Sequence, residues 1–596
     1  MGSSLSLLKA RRWQMLSVSA CFVFGILSIL NIHSLNEGLW FWYARLISGG
    51  HRLYADMHLP LQPLFVLLNV WTLELLGIGW LAFKSLAVAQ LFAYCVGLLL
   101  VADLAPWKDG QKAIVIASVF GMTMGTTFFR FDDFHITSDC LELYAIYLLL
   151  RISNEVRQRN NLIQAALLGT LCGLSLTNRL NDGAALFVAC GFVLLFLIPS
   201  RKILSLSIFC IAGLLTVLAV VSLTGDSIHD WALNSIIRAA AIKGGTGHAL
   251  YGPFQVSLKI FYFLLTTRHM LINLIYDAIL ATVCVLMQRY GRRPDGRLWG
   301  SRIAAGVAFI ALTLPLVYKQ ALVGLPQASI ATLGALISWV LAIWVLVRLL
   351  LSLSPSKPAN RDPRELILLI PFLQMMGMAV TSGKSTLWGY STVAALLILL
   401  PICSPIKLQR KWQQTAYVAV AGLIVFSALI TKTANPYTWL HFTNRPLFVD
   451  RQWYRHPIYG PMYIERDQLQ FVRSVCDDIS KDGPPKELLS ITYPYANYFC
   501  NVPPWHGYVQ TWYDTSSKLT IDNLVNELQI SPPQWIIYQR EPDTMLLHEK
   551  VFLDGRPLPH RTLDHLIMDR IVDGKWTVVR RENFQGADWI LLRTRT

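Results

Sequence analysis

Long apolar runs recur along the sequence and predict a mainly α-helical bundle that crosses a membrane many times. A transmembrane helix needs about 20 predominantly apolar residues, and the first such run extends from Trp13 to about Ile32. Further runs fall at 79–103, 112–128, 139–152, 162–177, 184–199, 203–224, 269–288, 299–318, 326–350, 365–381, 387–404 and 414–431. The pattern therefore predicts about thirteen spans. This odd number places the two ends of the chain on opposite sides of the membrane.

Basic residues cluster in alternate loops between these runs. Cytoplasmic loops of membrane proteins carry an excess of lysine and arginine, so the clusters mark the cytoplasmic side. They are Lys9/Arg11/Arg12, Lys108/Lys112, Arg151/Arg157/Arg159, Arg201/Lys202, Arg289/Arg292/Arg293/Arg297, Lys357/Arg361/Arg364 and Lys407/Arg410/Lys411. The charges predict a cytoplasmic N-terminus before an uncleaved first span, and an external C-terminal tail.

Two long loops and the tail lie on the predicted external side. The loops are residues 33–78 and 225–268. In the first, prolines interrupt the apolar stretch 61–76, which favours a short helix in the membrane interface over a full span. In the second, a helical pattern surrounds Trp231–Ala241.

The composition of the chain changes at residue 432. Beyond it, the helix-like stretch Ile521–Ile530 alternates with short apolar runs, which prolines and Asp/Gly turns separate. The runs are Leu488–Thr492, Gln534–Tyr538, Trp576–Val579 and Trp589–Leu592. We therefore predict a transmembrane module over 1–431 and an external α/β domain over 432–596.

Composition excludes a large soluble enzyme. Hydrophobic residues make up 54% of the chain and charged residues 15%, whereas soluble domains contain about 25% charged residues. The residues from Lys432 onward hold 19 basic and 19 acidic groups, so the net charge of +16 arises in the first 431 residues. This uneven excess fits basic cytoplasmic loops and argues against a nucleic-acid surface. In the tail, Cys476 and Cys500 are able to pair if the tail faces an oxidising space.

Ionisable residues gather on the predicted external face, where a membrane protein needs a reason to place them. They lie in Asn36–Arg45 and Gly49–Pro60, in Arg130–Asp139, in Asn178–Gly183, and in Ser382–Lys384 together with Arg238 and Lys243. Carboxylates can deprotonate an acceptor hydroxyl or bind a divalent cation. Arginine and lysine can hold a phosphate leaving group. Together they indicate transfer of a group from a phosphorylated lipid.

Plain structural roles compete with this interpretation. Glu37 and Asp56 would form ion pairs with Arg45 and Arg52, and Asp132 and Asp133 would belong to a solvated turn. Arg179 would extend its guanidinium to the lipid headgroups. Trp40–Trp42 would form an aromatic belt at the membrane interface.

Taken in order, these segments resemble GT-C-type membrane glycosyltransferases, above all the branch of the protein O-mannosyltransferases and the lipid A aminoarabinose transferase. Gly50–Asp56, followed by Pro60 and Pro63, is similar to the family's G-x-x-x-Y-x-D-like stretch. Thr137–Asp139 is similar to its second acidic position, and Gly169–Arg179 to its small-residue span that ends in a basic residue. The predicted order of spans followed by an external α/β domain is also similar to the aminoarabinose transferase.

The resemblance implies a sugar donor on a polyprenyl phosphate, a periplasmic acceptor (glycan, lipid or protein) and the inner membrane of a bacterium. One departure stands at the first acidic motif, where the family usually has Asp-Glu and this chain has Asn36-Glu37. We predict catalytic carboxylates at Asp56, Glu37 and Asp139, and phosphate-binding residues at Arg179, Lys384, Arg238 and Lys243. A divalent metal is a candidate cofactor, with Asp56 and Asp139 as its ligands.

Two other functions compete with a transferase. A transporter or flippase of lipid-linked sugars typically shows paired half-repeats and charged residues near mid-membrane. The sequence has no evident repeat, and Asp277 is the main charge that we place within a span. A non-catalytic membrane protein whose tail binds periplasmic glycans is the second alternative, and Asn36 at the first acidic motif is compatible with it.

Overall fold

The chain forms a helical bundle that leads into a smaller domain containing a β-sheet. The computed structural model describes residues 11–30, 36–125, 132–154, 161–197, 202–242, 340–350, 363–382, 389–403 and, apart from 423, 426, 427, 431, 435, 440, 441, 444 and 482, residues 421–594. The helices before the tail are α1 (Arg12–Ile29), α2 (Asn36–Ser48), α3 (Leu64–Leu76), α4 (Trp80–Asp103), α5 (Asp109–Gly125), α6 (Phe134–Asn154), α7 (Asn161–Asn178), α8 (Leu180–Leu197), α9 (Lys202–Ser222), α10 (Ile228–Ala232), α11 (Ala239–Ile242), α12 (Val340–Leu350), α13 (Leu369–Ser382) and α14 (Gly389–Cys403).

Within the described part of the chain, four helices are long and apolar enough to cross a membrane: α1, α4, α8 and α9. Helix α4 has 24 residues, which at 1.5 Å per residue is about 36 Å and exceeds a hydrocarbon core of about 30 Å. Helix α3 has 13 residues, or about 20 Å, so it is too short to span, as its prolines predict. The full number of spans stays a prediction, because the runs 269–288 and 299–318 lie outside the described residues.

Small residues allow the helices of the bundle to approach one another closely. A β carbon at Gly169 on α7 would lie 2.2 Å from the carbonyl oxygen of Phe209 on α9, and one at Gly173 would lie 2.6 Å from that of Gly213. Any side chain there would push the helices apart, so these two glycines of the family-like motif serve packing.

The two ends of the bundle differ in chemistry. At one end, Arg11 pairs with Asp103 at 2.9 Å, close to the predicted cytoplasmic clusters. At the other end, the backbone N–H of Trp80 donates to the carbonyl oxygen of Tyr459 in the tail at 2.9 Å. Because α4 runs from Trp80 to Asp103, the tail and the basic end lie at opposite ends of this helix. The orientation in the membrane stays a prediction.

The tail is an α/β structure, and the four predicted apolar runs are its sheet. Strands β5 (Leu489–Ile491), β6 (Trp535–Arg540), β7 (Trp576–Phe584) and β8 (Ala587–Thr594) pair in the order β5-β6-β8-β7. Before them in the chain, two separate pairs form, β1 (Thr438–Trp439) with β2 (Phe442–Thr443) and β3 (Arg451–His456) with β4 (Gly460–Glu465). Its helices are α15 (Arg466–Ser480), α16 (Tyr495–Cys500), α17 (Lys518–Ile530), α18 (Pro542–Phe552) and α19 (His560–Val572). A disulfide joins Cys476 to Cys500, as predicted, and ties α15 to α16. The boundary at 431/432 stays a prediction.

An aromatic core joins the tail to the predicted external loop 33–78. We call the described part of that loop, residues 36–78, the first external segment. Trp40, Phe41 and Trp42 are buried, and the ring of Phe41 lies 5.2 Å from that of Tyr459 and 5.1 Å from that of Tyr498. The prediction of an interfacial aromatic belt at Trp40–Trp42 is therefore wrong. An aromatic triplet suits a lipid interface and a protein core equally well. Here the tail covers Phe41, while Trp40 packs against Phe65 and Phe134.

Burial of Glu541 predicts a pH-dependent stability of the tail. Burial raises the pKa of Glu541 from an ordinary value of 4.5 to about 8. The folded tail thus holds a proton that the unfolded chain releases, and the free energy of unfolding should fall as pH rises from 4.5 through about 8. Glu541→Gln removes this titration, so the variant should gain melting temperature over the wild type as pH rises. Melting curves of the two proteins between pH 5 and pH 9 test this, and parallel pH dependences would contradict it.

Candidate functional site

The tail-side end of the bundle gathers acidic and basic side chains from separate segments. Asp132 and Asp133 lie immediately before the first turn of α6, where the exposed N–H groups of a helix favour negative charge. Asp133 Oδ1 accepts from the backbone N–H of His135 at 3.1 Å and lies 2.8 Å from the Nδ1 of its ring. This carboxylate therefore fixes the orientation of a histidine at the start of the helix.

The corner between α7 and α8 brings an arginine to the same place. Asn178 Nδ2 donates to the carbonyl oxygen of Phe134 at 2.7 Å and to Ser138 Oγ at 2.8 Å. Arg179 Nη1 donates to Asp182 Oδ2 at 2.9 Å, and its guanidinium lies 5.9 Å from the ring of Phe134. These contacts tie the corner to the start of α6.

Two further carboxylates lie deeper in this region. Asp139 and Glu142 are buried on α6, and Glu142 interacts electrostatically with both Asp139 and Asp182. We call Asp133, His135, Asp139, Glu142, Arg179 and Asp182 the polar network. It contains two residues that the sequence predicts for the site, Asp139 and Arg179.

Glu37 forms a buried triad with a lysine and an aspartate. Lys84, in the second turn of α4, contacts Glu37 Oε1 and lies 2.6 Å from Asp132 Oδ2. The side chains of Glu37, Lys84 and Asp132 are 2%, 3% and 5% exposed. The suggested pairing of Glu37 with Arg45 is not the observed one, since Arg45 Nη1 donates to Asn501 Oδ1 at 2.6 Å. The buried carboxylate of Glu37 is thus matched by the buried ammonium of Lys84.

Asp56 makes its contacts within the first external segment, where it is exposed. Arg52 Nη2 donates to Asp56 Oδ1 at 2.9 Å, and the backbone N–H of Arg52 donates to Oδ2 at 2.7 Å. The side-chain bond from Arg52 is the main cause that lowers the pKa of Asp56 below its ordinary value of 3.8. The ion pair of Asp56 with Arg52, which competes with a catalytic role for Asp56, is therefore present, and Asp56 is ionised at neutral pH.

The two loops that the sequence predicts to be external pack on each other, and the second carries Arg238. The Asp226 carboxylate accepts from the backbone N–H groups of Tyr54 at 3.1 Å and Ala55 at 2.9 Å. Asn234 Nδ2 donates to the carbonyl oxygen of Tyr54 at 3.2 Å, and Arg238 Nη1 donates to Asn234 Oδ1 at 2.6 Å. One asparagine thus links Arg238 to the backbone beside Asp56.

A polar cleft separates the first external segment from the tail. We call it the junction cleft; its cavity volume is about 100 Å³, and it is lined by Asp56, Met57, His58, His506, Gly507, Tyr508, Thr520, Asn523 and Glu527. Tyr508 donates to Glu527 at 2.9 Å, and His506 Nδ1 lies 2.8 Å from the same carboxylate. Among the predicted carboxylates, Asp56 is the one that lines this cleft.

The structure does not describe two of the predicted phosphate-binding residues. Lys243 and Lys384 lie outside the described residues, as do Arg130 and Asp277. Across the part of the chain that the structure describes, no group of three or more His, Cys, Asp or Glu side chains is arranged to hold a metal ion. A metal shared by Asp56 and Asp139 stays a prediction.

Lys84 and Glu142 were missed by the sequence analysis, which named Asp277 as the main charge within a span. Both lie inside apolar helices, and a charge in such a helix is costly unless it is matched. A lone lysine early in the apolar run 79–103 was the available signal.

Comparisons with known proteins give structural likenesses only. No protein-family model matches the sequence, and no curated protein matches it. ArnT from Cupriavidus metallidurans, crystallised with undecaprenyl phosphate, is similar over 98% of this chain and 98% of its own, at 12% identity and a TM-score of 0.38. The oligosaccharyltransferase of Archaeoglobus fulgidus, crystallised with Zn and sulfate, is similar over 88% of this chain and 68% of its own, at 12% identity and a TM-score of 0.45. AglB from the same archaeon, with an inhibitory peptide and a dolichol-phosphate, is similar over 91% of this chain and 71% of its own, at 11% identity and a TM-score of 0.43.

The chain resembles GT-C-type glycosyltransferases. ArnT and the archaeal oligosaccharyltransferases are of the GT-C type that the sequence motifs resemble. At these identities and TM-scores, the likeness transfers neither a substrate nor the role of any residue to this chain.

Proposed function

We propose that the chain is a membrane glycosyltransferase that moves a sugar from a polyprenyl-phosphate donor to an acceptor at the tail-side end of the bundle. The polar network is the observation that carries this proposal. Buried ionisable groups at the end of membrane helices are expensive to keep and characteristically mark a functional site. The network combines buried carboxylates with a partly buried histidine and arginine. These are groups that such a transfer can use.

Arg179 has the right chemistry for the phosphate of the donor. In the reaction, the bond between the sugar and the phosphate oxygen breaks, and polyprenyl phosphate leaves with an additional negative charge. An arginine can hold that charge through paired N–H donors. Arg179 presents its guanidinium at the corner between α7 and α8, paired with Asp182, and a phosphate would compete with this carboxylate. Arg238, Lys243 and Lys384 remain candidates for the same role.

Asp56 is the candidate that suits the acceptor. The acceptor oxygen forms the new bond to the sugar, and its proton must pass to a base. Asp56 is ionised and lines the junction cleft, so its carboxylate is accessible from the external side that we propose for the acceptor. Glu37 and Asp139 are buried, so we assign them an electrostatic role on the donor side.

The disulfide supports an external tail. Disulfides persist in oxidising compartments such as the bacterial periplasm, and Cys476 and Cys500 are joined in the tail. Together with the basic cytoplasmic clusters, this bond favours a bacterial inner-membrane protein with a cytoplasmic N-terminus and a periplasmic tail. Undecaprenyl phosphate is the natural first choice of donor lipid for the test.

The test is an assay of donor consumption by the purified chain. The protein in detergent receives undecaprenyl-phosphate-linked sugars together with a periplasmic glycan and lipid extract, and free undecaprenyl phosphate is measured. Release that depends on both the protein and the extract is expected. A transporter, or a protein that only binds glycans, would leave the donor intact, and that result with every donor sugar tested would contradict the proposal.

A further inference from the structure

A lysine ammonium lies between carboxylates of two separate segments. Glu37 belongs to α2 in the first external segment, and Asp132 comes immediately before α6. Lys84 Nζ contacts Glu37 and is 2.6 Å from Asp132 Oδ2. The centroid of the Trp80 ring lies 5.7 Å from the same nitrogen, a distance at which an aromatic face attracts a cation.

This position is the one that a bridging metal ion would need. Divalent cations bind carboxylate oxygens at about 2.0–2.6 Å, so an ion shared by Glu37 and Asp132 would have to displace the ammonium of Lys84. A divalent ion placed beside that ammonium would also meet its positive charge in a buried region, where like charges repel strongly. The pair of carboxylates therefore does not fit a metal while Lys84 is present.

We propose that Lys84 is the resident cation of this pair, and that it holds the first external segment against the start of α6 in place of a divalent ion. Two buried carboxylates without a counter-charge would disfavour the fold. The ammonium supplies that charge permanently, because it is covalently part of α4. The packing of α2, α4 and α6 against one another then does not require a bound metal ion. The inference bears on the proposed function through the placement of Glu37, but it is tested by metal binding rather than by transfer.

Lys84→Ala should convert the pair into a metal site. With Mn²⁺ as the probe, free and bound ion are distinguished by electron paramagnetic resonance on the purified full chain in detergent. The wild type and Lys84→Arg, which keeps a cation in place, should show no Mn²⁺ bound at the pair, and EDTA should not change their melting temperature. Lys84→Ala should bind Mn²⁺ at least 10-fold more tightly than the wild type and gain melting temperature with it.

Two controls make the result specific. The triple variant Lys84→Ala/Glu37→Gln/Asp132→Asn lacks both the ammonium and the carboxylate charges, and it should lose the Mn²⁺ site again. Lys112→Ala removes a lysine beside Asp103 at the opposite end of α4, and it should create no new site.

Three outcomes would overturn the proposal. One is Mn²⁺ binding by the wild type that Glu37→Gln abolishes. Another is a folded Lys84→Ala that binds Mn²⁺ no better than the wild type. If Lys84→Ala fails to fold without metal, it is purified in the presence of Mn²⁺. Recovery of folded protein in Mn²⁺ supports the proposal. If Lys84→Ala still fails to fold in Mn²⁺ while the triple variant folds, the proposal is refuted. All of these readouts are independent of glycosyl transfer.

Discussion

Arg179→Ala should lower the rate of donor consumption by about 10²–10³-fold, which is the typical effect of removing one contact that stabilises developing charge. Arg179 is the predicted phosphate-binding residue that the structure places within the polar network. The measurement is the release of free polyprenyl phosphate at saturating donor, together with the melting temperature of each variant.

The ion pair with Asp182 dictates the controls for this experiment. The side chain of Asp182 is fully buried, and removing its partner alone strands a charge in the bundle, which destabilises the fold. Arg179→Ala/Asp182→Asn removes both charges, so it should keep the fold and still lose turnover. Asp182→Asn alone keeps the guanidinium and should stay within about 10-fold of the wild type, since it leaves the charge-stabilising contact in place. A double variant as active as the wild type would place the phosphate site at Arg238, Lys243 or Lys384.

Asp56→Asn should reduce transfer by about 10²-fold or more with an unchanged melting temperature, because it removes a base and keeps the shape of the side chain. The Asp56 side chain is 35% exposed, and exposed ion pairs contribute little to stability. Loss of activity without loss of stability would therefore identify a chemical role. Turnover is measured as incorporation of labelled sugar into the acceptor.

Arg52→Gln is the matched control, since it breaks the same ion pair and leaves the carboxylate. If the pair is only structural, both variants should behave alike, and that result would contradict the proposed role. If Asp56 acts as a base, Arg52→Gln should stay active. Loss of the arginine should then raise the pKa of Asp56 and move the acid limb of the pH–rate profile to higher pH.

The elements of the fold followed largely from the sequence, because period and turn chemistry report local structure directly. Within the described residues, the apolar runs are helices, the proline-broken stretch is the short α3, and the four runs of the tail form one sheet. The sequence did not predict which distant residues contact one another. Trp40–Trp42 are apolar in any surroundings, and nothing near them in sequence indicates that residues near 459 and 498 will cover them.

The candidate site was predictable as a set of segments but not as a set of contacts. The structural alternative paired Glu37 within its own loop, yet Glu37 contacts Lys84 on the next long helix. Long-range ion pairs depend on how helices pack, and packing depends on side-chain shapes and glycine positions that periodicity does not encode. Asp56 and Arg52 are four residues apart and were paired correctly, because local geometry alone brings them together.

The aromatic core between the first external segment and the tail also sets an order of events during synthesis. Arg45 and its partner Asn501 are 456 positions apart, so at about 5–20 residues per second the ribosome needs roughly 20–90 s to supply the second after the first. During that time Phe41 and Trp42 have already left the ribosome, but the tail that packs against this segment has not yet been synthesised. The nascent chain therefore passes through a stage in which an apolar segment lies beside the membrane before the tail has been synthesised. During that stage, we expect lipid or a chaperone to cover this segment and prevent its aggregation.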